Sequence, residues 1–358
     1  MIALLLSFIG LSRLGFSAWR RWILIVGPCL CLSCGDGTGP VSPQAAPGLG
    51  ATDPSTNRLE GLVVGTTSDR PVGGARVTLS GASVTTGADG RFSVAVSSST
   101  GVIEASVRAD GHVTRRLFVR PSDTEVRLDV IETGGLWNLE FYRELARNGA
   151  GGGSLLALNP WTVEPSFYID RRPEAGQNRA IPDGAVAAVE LAIHTVVPLL
   201  TLGRFSGSEI EIGMEPPPDQ TAGAVVIRWN PVEVAEVAGA AAAFTRGVGG
   251  NSSVVVIRTL EDTEAIFHEL GHVLGLYHPL SSLRPSHMFG AGTPARPYFT
   301  DWDVFHANIT YRRPPGNEDI DEDPPGFVIN DRTLGSGRGA EPTLVACPAA
   351  MAGARSEH

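Results

Sequence analysis

Three of the chain's eight histidines fall within the segment FHELGHVLGLYH, Phe267 to His278, and their spacing dictates how this stretch must fold. His268 and His272 are four residues apart, so on a helix both imidazoles leave the same face, one turn apart. If the helix continued, His278 would lie about 15 Å further along the axis than His268, too far to meet them. Gly275 removes the difficulty. Glycine takes positive φ readily, so the helix can stop there and the chain can turn back. The segment therefore predicts a helix ending near Gly275 and three imidazoles converging on one point.

Three neutral imidazoles suit zinc, whose nitrogen ligands sit at about 2.0–2.1 Å, and they leave a fourth position open as catalytic rather than structural sites do. Glu269 lies beside that point but too far round the helix to ligate, which suits a general base acting on bound water. A chance match to H-E-x-x-H-x-x-G-x-x-H anywhere in a chain of this composition is on the order of 10⁻⁵. Upstream, Thr259 and Asp262 are placed to form a capping box, with Glu261 and Glu264 in the first turns near the positive end of the helix dipole. SFYID, SEIEIG, GAVVIRW and SSVVVIRTL read as strands. Asp183 is placed to cap a helix carrying Val186, Val189, Ile193, Val197 and Leu200 on one face, which Pro198 should end or kink.

At the histidine motif the sequence resembles the metzincin metallopeptidases of matrixin-like type. The similarity spans about residues 155–312. SHMFG supplies Met288 where the family has its Met-turn, AGAAAAFTRG (238–247) resembles the family's edge strand, and TDWDVFHANITY resembles its closing helix. The resemblance implies an α+β catalytic domain, a twisted mixed sheet plus an active-site helix. It implies one catalytic zinc on His268, His272 and His278, with Glu269 taking a proton from the zinc-bound water and passing it to the leaving amine. A peptide substrate would lie extended along Gly239–Arg246. Gly290 stands where astacins and serralysins carry a tyrosine, no cysteine-switch propeptide is visible, and the calcium and structural-zinc ligands of animal matrixins are not recognisable. His194, His287 and His306 read as packing or surface residues, and His112 as solvated in a turn. A Ca²⁺ ion at NEDIDEDPPG (317–326) is conceivable but unsupported; a solvated acidic linker is the simpler reading.

Residues 58–132 differ in character. Apolar and polar residues alternate at Val77–Leu79, Phe92–Val96, Ile103–Val107 and Val126–Val130, separated by the turns DRPVGG, GADG and ADGH. This predicts an N-terminal all-β sandwich. The order of strands and turns is similar to the carboxypeptidase-regulatory-like family, which implies a transthyretin-like fold. With no ligand cluster of its own, it reads as a spacer or weak binding module, without which the catalytic unit should still fold.

Residues 1–34 place Arg20 and Arg21 before WILIVGPCLCLSC, a positive segment and an apolar run too short to span a bilayer securely. The end, LSCG, resembles a bacterial lipobox, which implies cleavage and lipidation at Cys34; an uncleaved anchor or an ordinary signal peptide are the alternatives. Either way the mature chain belongs to the bacterial cell envelope or is secreted. Residues 35–57 read as a flexible tether, 133–315 as the peptidase unit and 316–358 as an acidic, Gly/Pro-rich tail. All 28 basic residues are arginine, and the net charge of −10 argues against a nucleic-acid partner. The expectation is a monomeric zinc endopeptidase acting on protein or peptide substrates and touching membrane only through Cys34. A cell-surface binding protein with an inactive metzincin domain, or a hydrolase of non-peptide amides, stays open. Retention of Glu269 favours the enzyme.

Overall fold

The period-two alternation before residue 131 becomes seven strands: β1 (Asn57–Gly65), β2 (Arg76–Leu79), β3 (Ala82–Thr85), β4 (Arg91–Val96), β5 (Ile103–Arg108), β6 (Arg115–Val119) and β7 (Glu125–Val130). The computed structural model describes residues 57–96, 101–120, 125–151, 154–173, 180–237, 240, 242–280, 285–289, 299–325, 327–328 and 344–346. The leader with Cys34 and the position of Gly290 lie outside them. β1 pairs antiparallel with β4 and parallel with β7, while β3, β2, β5 and β6 form a second, antiparallel sheet. Inward residues of both sheets, among them Leu59, Val77, Phe92, Val107, Leu117 and Leu128, share one apolar core. Gly90 closes the GADG turn at φ 75°, where an added Cβ would press on the Val63 carbonyl.

The larger sheet follows: β8 (Ser166–Asp170), β9 (Ile210–Gly213), β10 (Ala224–Trp229), β11 (Ala243–Arg246), β12 (Ser253–Ile257) and β13 (Leu344–Ala346), in the order β13-β11-β12-β10-β8-β9. β9, β8, β10 and β12 run parallel, and β11 is antiparallel to β12. β10 and β12 read as near-continuous apolar runs because both their faces are covered. One face meets α2 (Asp183–Leu200) through Val189, Ile193 and Val197; on the other, Val226, Val254 and Val256 join Val234 of α3 (Pro231–Glu236). α2 passes Pro198 by two residues, because a proline that near the end costs only the donor to the His194 carbonyl. Asp183 is the first helical residue rather than the cap, and its carboxylate pairs with Arg171 at 2.8 Å. α1 (Leu139–Arg147), α4 (Ile266–Val273) and α5 (Asp301–Thr310) complete the layer over the sheet. The expected capping box at Thr259 does not form. Arg258 takes the Asp262 carboxylate at 2.9 Å and the Thr259 hydroxyl donates to it, so residues 260–265 wind as a 3₁₀ turn before α4.

The seven-stranded unit is not the detachable spacer the sequence suggests. Arg115 of β6 is buried and pairs with Asp129 of β7 and, at 2.6 Å, with Asp323; Arg313 after α5 donates to Asp129 at 2.7 Å. Burial, and after it the neighbouring Arg313 charge, pulls the Arg115 pKa down to about 10 against the pull of Asp323. Ile131, Tyr142, Ile309 and Ile320 pack into the same seam. The acidic stretch is likewise no solvated linker: Asp323 is 1% and Ile320 6% exposed, and residues 321–323 bond Arg116 at both its N–H and its carbonyl. Asp323 is held by Arg115 and Glu322 by Arg116. A cut near Thr133 would strip Arg313 and Asp323 of their partners Asp129 and Arg115 and open the seam they sit in.

Candidate metal centre

The structure brings the three histidines together. Their Nε2 atoms lie 3.1 Å (His268–His272), 3.0 Å (His268–His278) and 3.1 Å (His272–His278) apart. Ligands 2.0–2.1 Å from a tetrahedral zinc sit about 3.3 Å from one another, so the set fits such an ion with little adjustment. Among the described residues this is the group of His, Cys, Asp and Glu side chains able to share a metal. Three ring nitrogens this close cannot satisfy one another, since each shared proton serves only two of them.

The opposite ring edges fix the tautomers. His268 Nδ1 donates to the His287 carbonyl at 2.9 Å and His272 Nδ1 to the Leu276 carbonyl at 2.7 Å, which turns both Nε2 lone pairs toward the common point. Burial holds His268 and His272 well below the ordinary imidazole value, helped by the neighbouring rings, and lowers His278 to about 4. All three are neutral at pH 7, the form that ligates.

The turn that delivers His278 is built by more than one glycine. α4 stops at Val273 and Gly275 takes φ 95°. The carbonyls orphaned at the helix end are claimed by side chains from elsewhere: Trp161 Nε1 donates to Val273 O at 2.7 Å and Tyr311 OH to Leu274 O at 3.1 Å. Tyr277 N donates to Leu145 O at 2.6 Å, fixing the outgoing chain. Met288 is fully buried against α4 at Gly271, where any Cβ would overlap its thioether. That glycine sits mid-helix at a propensity cost of about 1 kcal/mol relative to alanine, which was the readable hint of close packing.

Two further residues escaped the sequence reading. Asp303 is fully buried and gathers the loop around Met288. Its Oδ1 accepts from the Ser286 hydroxyl, and its Oδ2 accepts from His287 N at 2.8 Å and Thr300 N at 2.9 Å. Burial raises its carboxyl while these bonds pull it down. Because the same His287 offers its carbonyl to His268, Asp303 positions a candidate ligand through one intervening residue. Its signal was legible as the T-x-x-D box that caps α5. Thr245 of β11 donates to Glu269 Oε2 at 2.5 Å, across 24 residues of sequence, and nothing local marked it. Glu269 itself is fully buried beside the triad and outside the ligand set. His287 lies with its ring 5.7 Å from that of His268, His306 is stacked between Trp137 and Trp302, and His194 is exposed on α2.

No protein-family model and no curated protein matches the chain. Among solved structures, a mercury-inhibited catechol 1,2-dioxygenase from Acinetobacter sp. ADP1 is 12% identical over 23% of this chain and 55% of its own, with a TM-score of 0.18. A putative membrane-associated protein of unknown function from Bacteroides fragilis is 16% identical over 41% of this chain and 44% of its own, also at 0.18. The chain therefore spans less than two thirds of either.

Proposed function

We propose that the protein is a zinc-dependent endopeptidase of metzincin type, with a mixed-sheet catalytic unit joined to an N-terminal β-sandwich. The observation that carries this reading is the convergence of three neutral imidazole nitrogens, two on buried rings and one on a half-buried ring, within 3.0–3.1 Å of one another beside a carboxylate that is not one of them. Zinc bound by His268, His272 and His278 supplies Lewis acidity to a carbonyl and to its water. The Glu269 carboxylate, held at Oε2 by Thr245, takes the proton from the attacking water and returns it to the leaving amine. β11, whose outer side is paired by β13, lies close enough for Thr245 to reach Glu269, and an extended peptide taking the place of β13 would pair along that strand. Met288 and Asp303 keep the floor of the site in place. Lipidation at Cys34 would hold the enzyme, a monomer, at the bacterial envelope, and a cleaved leader without lipid would release it.

The test is direct. Purified protein should contain one zinc per chain by elemental analysis and cut casein or a peptide library, and a chelator should stop it. His278→Ala should lose the zinc. Full zinc in that variant removes His278 from the ligand set, and a zinc-loaded wild type that cuts nothing in the library removes the peptidase reading. Cleavage of non-peptide amides alone would point to the other hydrolase class.

A further inference from the structure

β11 has two edges. One pairs with β12; the other, on the outside of the sheet, is taken by the chain's own Leu344–Ala346. The pairing is antiparallel and sets Leu344 opposite Arg246, Val345 opposite Thr245 and Ala346 opposite Phe244. Thr245 is the residue whose hydroxyl holds Glu269. The C-terminal segment thus lies across from a position of β11 that hydrogen-bonds the candidate general base.

An exposed strand edge is a row of unpaired N–H and C=O groups that accepts an extended peptide, and it can be paired only once. We propose that the segment at Leu344–Ala346 is a resident ligand of this edge and competes with peptide substrate for it. The consequence for turnover rests on the peptidase reading; the pairing itself does not. A second observation agrees. Glu269 and His272 are fully buried and His268 is 1% exposed, so in this conformation the base has no contact with bulk water. A working site must open, and an occupant that lifts off the edge is one way for it to do so. The sequence also keeps the occupant weak. Pro342 and Pro348 flank it, and neither can donate to a ladder, so pairing is limited to the five residues between them. Tethered to the same chain, a weak ligand still acts at an effective concentration of about millimolar.

The test uses the full chain with Leu344→Pro and Val345→Pro together. Successive residues of a strand aim their N–H groups at opposite edges, so one of the two substitutions removes the donor facing β11. Neither residue belongs to the metal site, and zinc content and melting temperature should match the wild type. Amide hydrogen exchange at Ala243–Arg246 should accelerate about tenfold or more in the variant. For a short fluorogenic peptide, KM should fall roughly three- to tenfold with kcat nearly unchanged, because the competition is for binding. A synthetic peptide of residues 341–348 added to the variant should raise KM again and slow exchange at β11, a measurement that needs no altered fold in the wild type. Equal exchange in the two chains overturns the proposal. So does accelerated exchange with an unchanged KM in an active enzyme. If exchange accelerates but both zinc-loaded chains cleave nothing, the peptidase reading has failed and the competition fails with it.

Discussion

Two clusters of polar side chains are buried in this molecule, and they are built on opposite plans. At the seam between the seven-stranded unit and the chain after α5, Arg115, Arg313, Asp129 and Asp323 balance two positive charges with two negative ones. Around α4, His268, His272 and His278 carry no charge and aim their acceptor nitrogens at one another's common point. The seam balances its charges within the chain, although Arg115 Nε, Arg313 Nε and Nη2 and Asp323 Oδ1 have no hydrogen-bond partner among the described residues, whereas the histidines converge on one point that only an outside group can fill. Buried polarity alone does not mark a functional site; the direction of its unmet valence does.

The sharpest way to break this comparison is to remove the base. Glu269→Gln keeps every candidate ligand, so zinc content should stay at one per chain while peptide turnover drops by roughly 10²–10⁴-fold. Wild-type rates in that variant would sink the mechanism and reduce the histidine cluster to a second structural feature.

The seam should respond in the other currency, stability. Asp323→Ala leaves Arg115 buried without one of its carboxylates, at a cost of about 3–5 kcal/mol. Urea denaturation should show this, while zinc bound per folded molecule is unchanged. A variant as stable as the wild type would mean that water or Asp129 serves Arg115 well enough, and the seam would then be a contact rather than a lock.

The two clusters also differed in how far they could be read from sequence, for a physical reason. The candidate metal ligands lie within eleven residues, and helix geometry plus one glycine is enough to bring them together. Arg115 and Asp323 are 208 residues apart and Asp129 and Arg313 are 184 apart, so no periodicity relates them. Without that relation, the segment Asn317–Gly326 reads as a solvated acidic linker and the β unit as a spacer. Strand pattern was legible wherever one face is wet, as in β4, whose exposed and buried residues alternate. It was less informative for β11, expected over 238–247 and described as a strand at Ala243–Arg246, because alanines fit strand and coil equally. Thr245 reaches Glu269 across 24 residues, a relation that sequence spacing does not encode, and Asp303 was marked in the sequence only as the T-x-x-D cap of α5, not for its bonds to Ser286 and His287.

Acid should separate the clusters again, by a smaller amount. His278 titrates at about 4 in the folded chain against an ordinary value of 6.5. Below pH 6.5 the unfolded chain therefore binds more protons than the folded one, and stability falls with falling pH; His268 and His272, also held well below the ordinary value, add to the loss. In metal-free protein the share of His278 should be roughly 1–2 kcal/mol, less than the whole shift would give because local opening lets the ring meet water. Denaturation at pH 7 and pH 4.5 would measure the whole loss, and His278→Gln should reduce it by that share. An equally steep loss in that variant would assign the acid sensitivity to other groups.

The smallest expected effect tests whether the site's polarity is tuned as well as placed. Thr245→Val keeps the shape of the side chain but removes the only donor it offers Glu269 Oε2, and a hydrogen bond to a charged group contributes about 1.5–3 kcal/mol. Much of that should reappear as solvation once the carboxylate is freed to move, so we expect kcat to drop about three- to thirtyfold with zinc content unchanged. Thr245→Ser restores the hydroxyl and should recover most of the rate, which a loss caused by strand packing would not allow. Because Thr245 also sits opposite Val345, Thr245→Val must leave exchange at β11 as slow as in the wild type. If serine fails to rescue, the contact is packing, and the Thr245 hydroxyl does not set the base.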